Sequence, residues 1–247
     1  MQEAIVGADQ LGQAVNSLSL AKRGHFGELR VGLMASLASG FLADLLCAFH
    51  NKFPNIEMKL EESTAQLNAS AVLNGRLDAA FMPGDPRLPG CKAERLWDER
   101  IYVAAPTVHR LNDVRLITWD EVRGEMFLVT ADAAGPEIED YLVRQLSAPG
   151  FRPRISVQRV GRENLLNMVA WGVGLTLTTD STLGITYPGL RFHPIVSRED
   201  TVSSSIIWSA SNRNPALKLL IEMIHDRISN ARRCQPNASF ASSPQAY

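Results

Sequence analysis

A pattern of strands and helices that occurs twice constrains the fold of this chain more than any other feature. In the first copy, apolar spacing and Pro/Gly breaks predict a strand, a helix, a strand, a helix and a strand at 29–33, 41–53, 56–61, 68–77 and 78–82. The second copy repeats this order at 126–130, 136–146, 155–160, 163–171 and 174–178. Two copies in one chain predict two similar units.

Alternating strands and helices of these lengths are typical of parallel sheets with helices on both faces. We therefore predict an α/β fold of two Rossmann-like lobes. Two isolated strands, at 100–106 and 204–210, stand outside the two copies, and an amphipathic helix at 216–228 follows them. A chain that leaves the first lobe near residue 105 and returns near 208 crosses twice. These crossings predict a two-strand hinge with a cleft between the lobes.

The two ends of the chain differ from the lobes. Residues 3–22 are predicted to form a helix with an apolar seam at heptad spacing, made of Ala4, Ala8, Leu11, Val15 and Leu18. This helix either lies on the surface of the body or is the end of a longer dimerising helix. The final stretch is rich in Ser, Ala, Pro and Asn, which predicts disorder. The predicted units are a linker helix, a first lobe in two pieces, a second lobe and a tail, at 1–26, 27–105 with 208–234, 106–207 and 235–247.

The net charge and the cysteines of the chain limit the kinds of function that it can have. The chain has 247 residues, and 25 Lys and Arg against 26 Asp and Glu give a net charge of −1. Such a chain is a poor candidate for binding nucleic acid on its own, because phosphate neutralisation needs a basic face. Since it shows neither an apolar run of roughly 20 residues nor a secretory signal, we expect a cytoplasmic protein. The distant Cys47, Cys91 and Cys234 predict reduced thiols rather than disulfides or a zinc site, with Cys47 buried on a helix face.

The sequence contains none of the common catalytic motifs. A phosphate-binding GxxxxGK[ST] loop, a GxSxG nucleophile turn and a zinc-binding HExxH helix are all absent, and the five histidines are scattered. We therefore predict no cofactor, no metal and no catalytic residue.

Small polar residues at the ends of the predicted strands are the candidate binding groups. Ligands of open parallel sheets bind outside the carboxyl ends of the strands, where helix N-termini favour anions. The candidates from this argument are Ser36, Ser39, Thr64, Thr130, Asp132 and Thr178, with Thr178 matched to the strand end at Thr64. As an alternative, each Ser or Thr caps a helix or stabilises a turn. Asp132 either caps a helix or disfavours a carboxylate ligand.

Four segments, in order along the chain, carry a resemblance to a known family. These are 27–32 (GELRVG), 49–56 (FHNKFPNI), 73–80 (LNGRLDAA) and 169–175 (VAWGVGL). The third is similar to the signature L-x-x-G-x-L-D-x-A, and the fourth to V-x-x-G-x-G followed by an apolar residue. Together they resemble the effector-binding region of the LysR-type transcriptional regulators. The sequence departs from the family at 178–180 (TTD), where an apolar residue and a proline are common, and at 108–111 (VHRL).

The resemblance implies a fold and a function. The fold is a two-lobed domain like the type 2 periplasmic binding proteins, which binds a small effector, commonly an organic acid or aromatic metabolite, between its lobes. The effector shifts the population of a homodimer or tetramer and so controls transcription. The family order implies that the chain begins inside the linker helix and that DNA is contacted only through a helix-turn-helix absent from it. The residues that match effector-binding positions are Ser36, Leu37, Ser39, Thr64, Thr130, Ala131, Asp132 and Thr178.

Two other function classes share this fold. A solute-binding protein of transport systems is the first, and the missing signal peptide argues against it. An enzyme is the second, and neither strand-to-helix loop places a base or nucleophile in a convincing arrangement for catalysis. A fold alone does not decide function. We predict a transcriptional regulator, because the family resemblance favours it over these two classes.

Overall fold

The computed structural model describes residues 27–34, 36–114, 117–196 and 201–233, without the side chains of 231–233. The predicted helix at 3–22 and the predicted tail at 235–247 lie outside the described residues.

The described residues form nine strands and six α-helices. The strands are β1 Gly27–Leu33, β2 Ile56–Glu62, β3 Ala79–Pro83, β4 Cys91–Pro106, β5 Met126–Thr130, β6 Arg154–Gln158, β7 Thr176–Thr179, β8 Leu190–Pro194 and β9 Thr201–Ser209. The helices are α1 Gly40–Lys52, α2 Ala65–Leu73, the single turn α3 Trp119–Val122, α4 Gly135–Leu146, α5 Arg162–Ala170 and α6 Pro215–Arg233. We call the part built on β1, β2 and β3 lobe 1, and the part built on β5, β6 and β7 lobe 2.

The predicted repeat is present, with β1–α1–β2–α2–β3 in lobe 1 and β5–α4–β6–α5–β7 in lobe 2. In lobe 1, β1 pairs in parallel with both β2 and β3. In lobe 2, β5 pairs in parallel with β6 and, through a bridge between Phe127 and Leu175, with the approach to β7. Within the repeat, β2 therefore corresponds to β6, and β3 to β7. The prediction that matched Thr178 of β7 with the end of β2 was wrong in this respect.

The two crossing strands are longer than predicted, and neither is isolated. β9 pairs antiparallel with β3 and with the first part of β4, while the last part of β4 pairs antiparallel with β7 and β8. The strand order is β2-β1-β3-β9-β4-β7, with β8 beside β4, so the sheet is mixed rather than parallel throughout. β4 changes partner between Arg100 and Ile101. The first part of β4 was not predicted because it is rich in polar residues, such as the exposed Lys92 and the half-buried Glu94.

Each lobe has its own apolar core. In lobe 1, α1 and α6 pack on the sheet through buried side chains that include Leu45, Phe49, Leu220 and Ile224. In lobe 2, β5 and α4 contribute Phe127, Leu142 and Leu146 to a separate cluster. The predicted limits of the two lobes, at 105/106 and 207/208, stay a prediction. None of the helices in the described part of the chain is long and apolar enough to cross a membrane.

Two burial predictions were wrong. Cys47 is exposed on α1, because the buried face of that helix is formed by Leu42, Leu45, Leu46 and Phe49. The alternation of apolar residues in β2 predicts that Leu60 points into the core with Ile56 and Met58, but Leu60 is 42% exposed. β2 is the edge strand of the sheet, so the layer that covers its neighbours ends before Leu60.

Candidate functional site

Two cavities meet where β7 and the first turns of α4 and α5 come together. The first has a volume of about 270 Å³ and lies mainly against lobe 2. The second has a volume of about 330 Å³ and lies between lobe 2, the end of β3 and the crossing strands β4 and β9. They share five lining residues, Ala134, Ile138, Arg162, Leu177 and Thr178. Both volumes suit a small metabolite.

The loop between β5 and α4 forms one wall of the first cavity. Thr130 Oγ1 donates a hydrogen bond to the carbonyl oxygen of Asp132 at 2.7 Å, and Ala133 has a left-handed backbone with a φ of 55°. Gly135 closes the loop, because a Cβ at this position would lie 1.8 Å from the carbonyl oxygen of Thr130. A tight turn thus holds Thr130 and Asp132 at the cavity, while the backbone of Ala131 bonds to Gln158 at 2.8 Å.

Three of the eight residues predicted to bind an effector line a cavity. Thr130 and Asp132 line the first cavity, and Thr178 lines both. The other five, Ser36, Leu37, Ser39, Thr64 and Ala131, line neither.

The lobe 1 hydroxyls serve the backbone in this arrangement. Ser36 Oγ accepts a hydrogen bond from the amide of Ala38 at 3.2 Å, which stabilises a turn. Thr64 Oγ1 accepts from the amide of Leu67 at 3.4 Å and so caps α2. These two contacts therefore agree with the alternative prediction, in which a Ser or Thr caps a helix or stabilises a turn.

The two lobes touch through a few polar contacts. Ser39 Oγ donates to the carbonyl oxygen of Ser181, just after β7, at 3.1 Å. Gly184 packs against the same loop, since a Cβ there would lie 2.5 Å from the Cβ of Ser39. At a second contact between the lobes, the amide of Ala65 at the start of α2 donates to Glu137 Oε1 of α4 at 3.3 Å. A lobe movement would break these contacts first, because they are few and only partly buried.

Six charged residues at the cavities were not predicted from the sequence: Glu62, Glu99, Glu137, Arg144, Arg159 and Arg162. Arg162 is the first residue of α5 and directly follows Gly161 in the loop after β6, and its guanidinium donates to Thr182 Oγ1 at 2.9 Å. The rule that ligands bind outside the carboxyl ends of strands also applies to the loop after β6. That loop was not considered, because the sequence pattern matched β2 to β7 and not to β6. The sequence signal for Arg162 was a glycine, Gly161, directly before a helix and followed by a basic residue.

The second cavity combines apolar walls with these charges. Its apolar lining includes Met34, Phe81, Trp97, Ile101, Ile138 and Tyr141. Glu99 is 6% exposed, and its Oε1 accepts from the amide of Ser181 at 3.0 Å. Nearby, burial raises the pKa of the Tyr102 hydroxyl, and a hydrogen bond with Asp180 raises it further, so this phenol stays neutral. No cluster of His, Cys, Asp and Glu within the described ranges could hold a metal ion.

The helix N-termini at the cavities are open in lobe 2. α4 begins after Ala134 and α5 after Gly161, and neither residue supplies a side-chain cap. Such amides favour an anion, with the helix dipole acting in the same direction. α2 of lobe 1, in contrast, carries its Thr64 cap. Two α/β lobes, two strands that run between them and a cavity with a cation and open helix ends define a two-lobed ligand-binding domain.

The comparison with protein families agrees with this class. The family model for the LysR substrate binding domain matches residues 22–229, and the chain belongs to this family. Among curated relatives, the HTH-type transcriptional regulator TtuA of Agrobacterium vitis is 27% identical over 207 residues, which cover 81% of this chain and 67% of that protein. The HTH-type transcriptional regulator AlsR of Bacillus subtilis is 23% identical over 232 residues, or 94% of this chain and 75% of that protein.

Solved structures confirm the fold. CbnR, a LysR family transcriptional regulator, superposes with a TM-score of 0.74 at 21% identity, covering 91% of this chain and 78% of that one. The BenM effector binding domain with its effector benzoate gives a TM-score of 0.69 at 23% identity, covering 88% of this chain and 99% of that one. The predicted two-lobed α/β fold, of the type 2 periplasmic-binding-protein kind, is therefore confirmed.

Proposed function

We propose that this chain binds a small organic acid, with an aromatic or aliphatic body, between its two lobes as the effector of a transcriptional regulator. One observation carries the proposal: Arg162 lines both cavities at the open N-terminus of α5. A guanidinium stays charged at physiological pH and matches a carboxylate in a bidentate manner. The apolar walls of the second cavity suit the body of the ligand.

The relatives support the same function. The curated relatives TtuA and AlsR are named as transcriptional regulators, and the solved BenM domain holds benzoate, a small aromatic acid. In the proposal, Thr130, Asp132 and Thr178 contact the ligand from lobe 2. Ser36, Leu37, Ser39 and Thr64 lie on the facing side and reach it in the ligand-bound arrangement of the lobes, with Ala131 supporting the loop.

The regulatory step in this proposal is a population shift. A ligand that binds one lobe arrangement more tightly moves the equilibrium toward it, by no more than its differential affinity. The Ser39–Ser181 and Ala65–Glu137 contacts are the ones that such a movement would exchange. In a homodimer or tetramer, the changed angle between lobes would be passed to the neighbouring subunits and from there to transcription.

A thermal-shift screen of small carboxylates, with benzoate as the first probe, tests the proposal. A ligand that binds only the folded state raises the melting temperature. For the best probe, we expect Arg162→Gln to weaken binding about tenfold or more in a calorimetric titration, because a charge-assisted contact is lost. Arg152→Gln, an exposed arginine of the same lobe away from both cavities, is the matched control and should bind as the wild type does. Equal affinities of the two variants, or no stabilising carboxylate, would contradict the proposal.

Ser36→Ala separates a ligand contact from a turn. As a ligand contact, Ser36 contributes about 0.5–3 kcal/mol to binding, so its loss weakens affinity about two- to a hundredfold and leaves the melting temperature nearly unchanged. As a turn residue that bonds only to Ala38, its loss lowers stability by about 1 kcal/mol and leaves affinity unchanged. We expect the first result, and melts together with titrations of the same variant distinguish the two.

A further inference from the structure

At the second cavity, the described part of the protein supplies a hydrogen-bond donor to only one of the two carboxylate oxygens of Glu137. Glu137 Oε1 accepts a hydrogen bond from the amide of Ala65, whereas Oε2 is buried and has no hydrogen-bond partner among the described residues. A buried charged oxygen without a donor is costly, so native structures seldom keep one without a reason. Glu137 lines the second cavity, where a ligand can supply the missing donor.

The neighbouring basic groups do not neutralise this carboxylate. Arg162 donates to Thr182 Oγ1, and the Arg144 guanidinium lies over the ring of Tyr141, 5.7 Å from its centroid. Within the described part of the chain, no salt bridge joins Glu137 to either arginine. The other carboxylate of the cavity, Glu99, has its Oε1 occupied by the amide of Ser181. Of these two carboxylates, Glu137 is the one whose second oxygen is buried and has no hydrogen-bond partner among the described residues.

The remaining walls favour a cation over a neutral donor. Phe81, Trp97 and Tyr141 line the same cavity, and the rings of Phe81 and Trp97 lie 6.1 Å apart at an interplanar angle of 50°. Aromatic faces attract an ammonium group, most strongly where water is excluded. Two carboxylates and three aromatic rings therefore line this space together with two arginines, of which Arg162 lies at the part shared with the first cavity and Arg144 already covers the ring of Tyr141.

We propose that the effector is an amino acid or a similar zwitterion with an apolar side chain, and that Glu137 binds its protonated amine. This inference depends on the proposed function, in which Arg162 binds the carboxylate of the same ligand. The cavity volume of about 330 Å³ limits the ligand to roughly the size of an aromatic amino acid. Glu137 is then a specificity residue, because an acid without an amine leaves its Oε2 unpaired.

Three matched probes test the proposal on the wild-type protein. L-phenylalanine carries both groups, 3-phenylpropionate lacks the amine, and 2-phenylethylamine lacks the carboxylate. We expect L-phenylalanine at millimolar concentration to raise the melting temperature most, and removal of the amine to weaken the affinity about tenfold or more. Binding of 3-phenylpropionate as tightly as L-phenylalanine, or no binding of either amine, overturns the proposal.

Glu137→Gln isolates the free oxygen. The glutamine keeps a carbonyl oxygen for the amide of Ala65 and replaces the unpaired carboxylate oxygen with an amide nitrogen. We expect this variant to bind L-phenylalanine no better than 3-phenylpropionate, while Glu139→Gln, the same charge change on α4 away from both cavities, keeps the wild-type preference. An unchanged preference in Glu137→Gln overturns the proposal. Binding of carboxylates that depends on Arg162 but ignores the amine would leave the proposed function standing, whereas binding of no small acid at all removes the proposed function itself.

Discussion

The two lobes use the same order of strands and helices, but their strand-end loops do different work. In lobe 1, Thr64 caps α2 with its own side chain, while α1 begins after Ser39 without a side-chain cap and Ser36 bonds within its own turn. In lobe 2, α4 and α5 begin at Ala134 and Gly161 without side-chain caps, and their first turns line the cavities. The lobes therefore share a topology but differ at the start of the second helix of the repeat, where the residue before the helix decides whether a side chain satisfies the first amides or leaves them free.

The contact between the lobes follows from the same difference. The start of α2 receives a carboxylate oxygen from Glu137 of lobe 2, in addition to the cap from Thr64. Lobe 1 therefore satisfies the start of α2 with protein groups, one of which belongs to lobe 2. The starts of α4 and α5 have no side-chain cap, and the three arginines that line the cavities, Arg144, Arg159 and Arg162, also belong to lobe 2.

The largest expected effect comes from removing the glycine that closes the lobe 2 loop. In Gly135→Ala, the new Cβ would lie 1.8 Å from the carbonyl oxygen of Thr130, so the backbone of the loop has to move. We expect a loss of about 3 kcal/mol in the free energy of unfolding, measured by urea denaturation. Gly124→Ala is the control, because no atom lies within 4 Å of the position that its new methyl group would take, and it should change stability by less than about 0.5 kcal/mol. Equal stabilities of the two variants would show that the loop is not constrained at Gly135.

The sequence predicted the parts of the fold that depend on local pattern. The five elements of each repeat were found because apolar spacing and breakers such as Pro54 and Pro149 act within a few residues. β8 was missed because its alternation of Leu190 and Phe192 with polar residues extends over only five residues, and the first part of β4 because most of its residues are charged or small. Their pairing is set by neighbours distant in sequence, as when β4 meets β9 more than 100 residues later.

The candidate site was predictable to a smaller extent. Thr130, Asp132 and Thr178 were found because the strand-end rule depends only on topology. Arg162 and Glu137 depend on which strands correspond between the lobes and on how the lobes meet, and neither follows from a residue's immediate neighbours. The bond between Glu137 and Ala65 joins residues 72 positions apart, beyond the reach of any local pattern.

A smaller effect should follow from removing the cap of lobe 1. Thr64→Ala leaves the amide of Leu67 without its side-chain acceptor, so we expect a loss of about 1 kcal/mol in the free energy of unfolding. Ser70→Ala, an exposed change within the same helix, is the control and should cost nothing or slightly stabilise α2. The cap interpretation would be wrong if Thr64→Ala kept full stability and lost only ligand affinity, in which case both lobes would present their helix ends to the ligand.

The smallest expected effect is a pH dependence confined to lobe 2. His193 of β8 is half-buried, and its Nε2 lies 3.0 Å from Asn112 Oδ1. Burial lowers the pKa of His193 below its ordinary value of 6.5, and the charges of Arg191 and His109 lower it further. The unfolded chain therefore takes up a proton at a higher pH than the folded chain does, so folding stability falls as the pH drops through about 6.5 and stops falling once the folded state is also protonated.

His193→Gln removes this titration and keeps a side-chain donor for Asn112. We expect the stability of the wild type, measured by urea denaturation at several pH values, to decline more steeply than that of the variant between about pH 6.5 and 5. Parallel curves would show that the His193 imidazole ionises in lobe 2 as readily as in the unfolded chain. A steeper decline for the variant would show that folding favours the protonated imidazole.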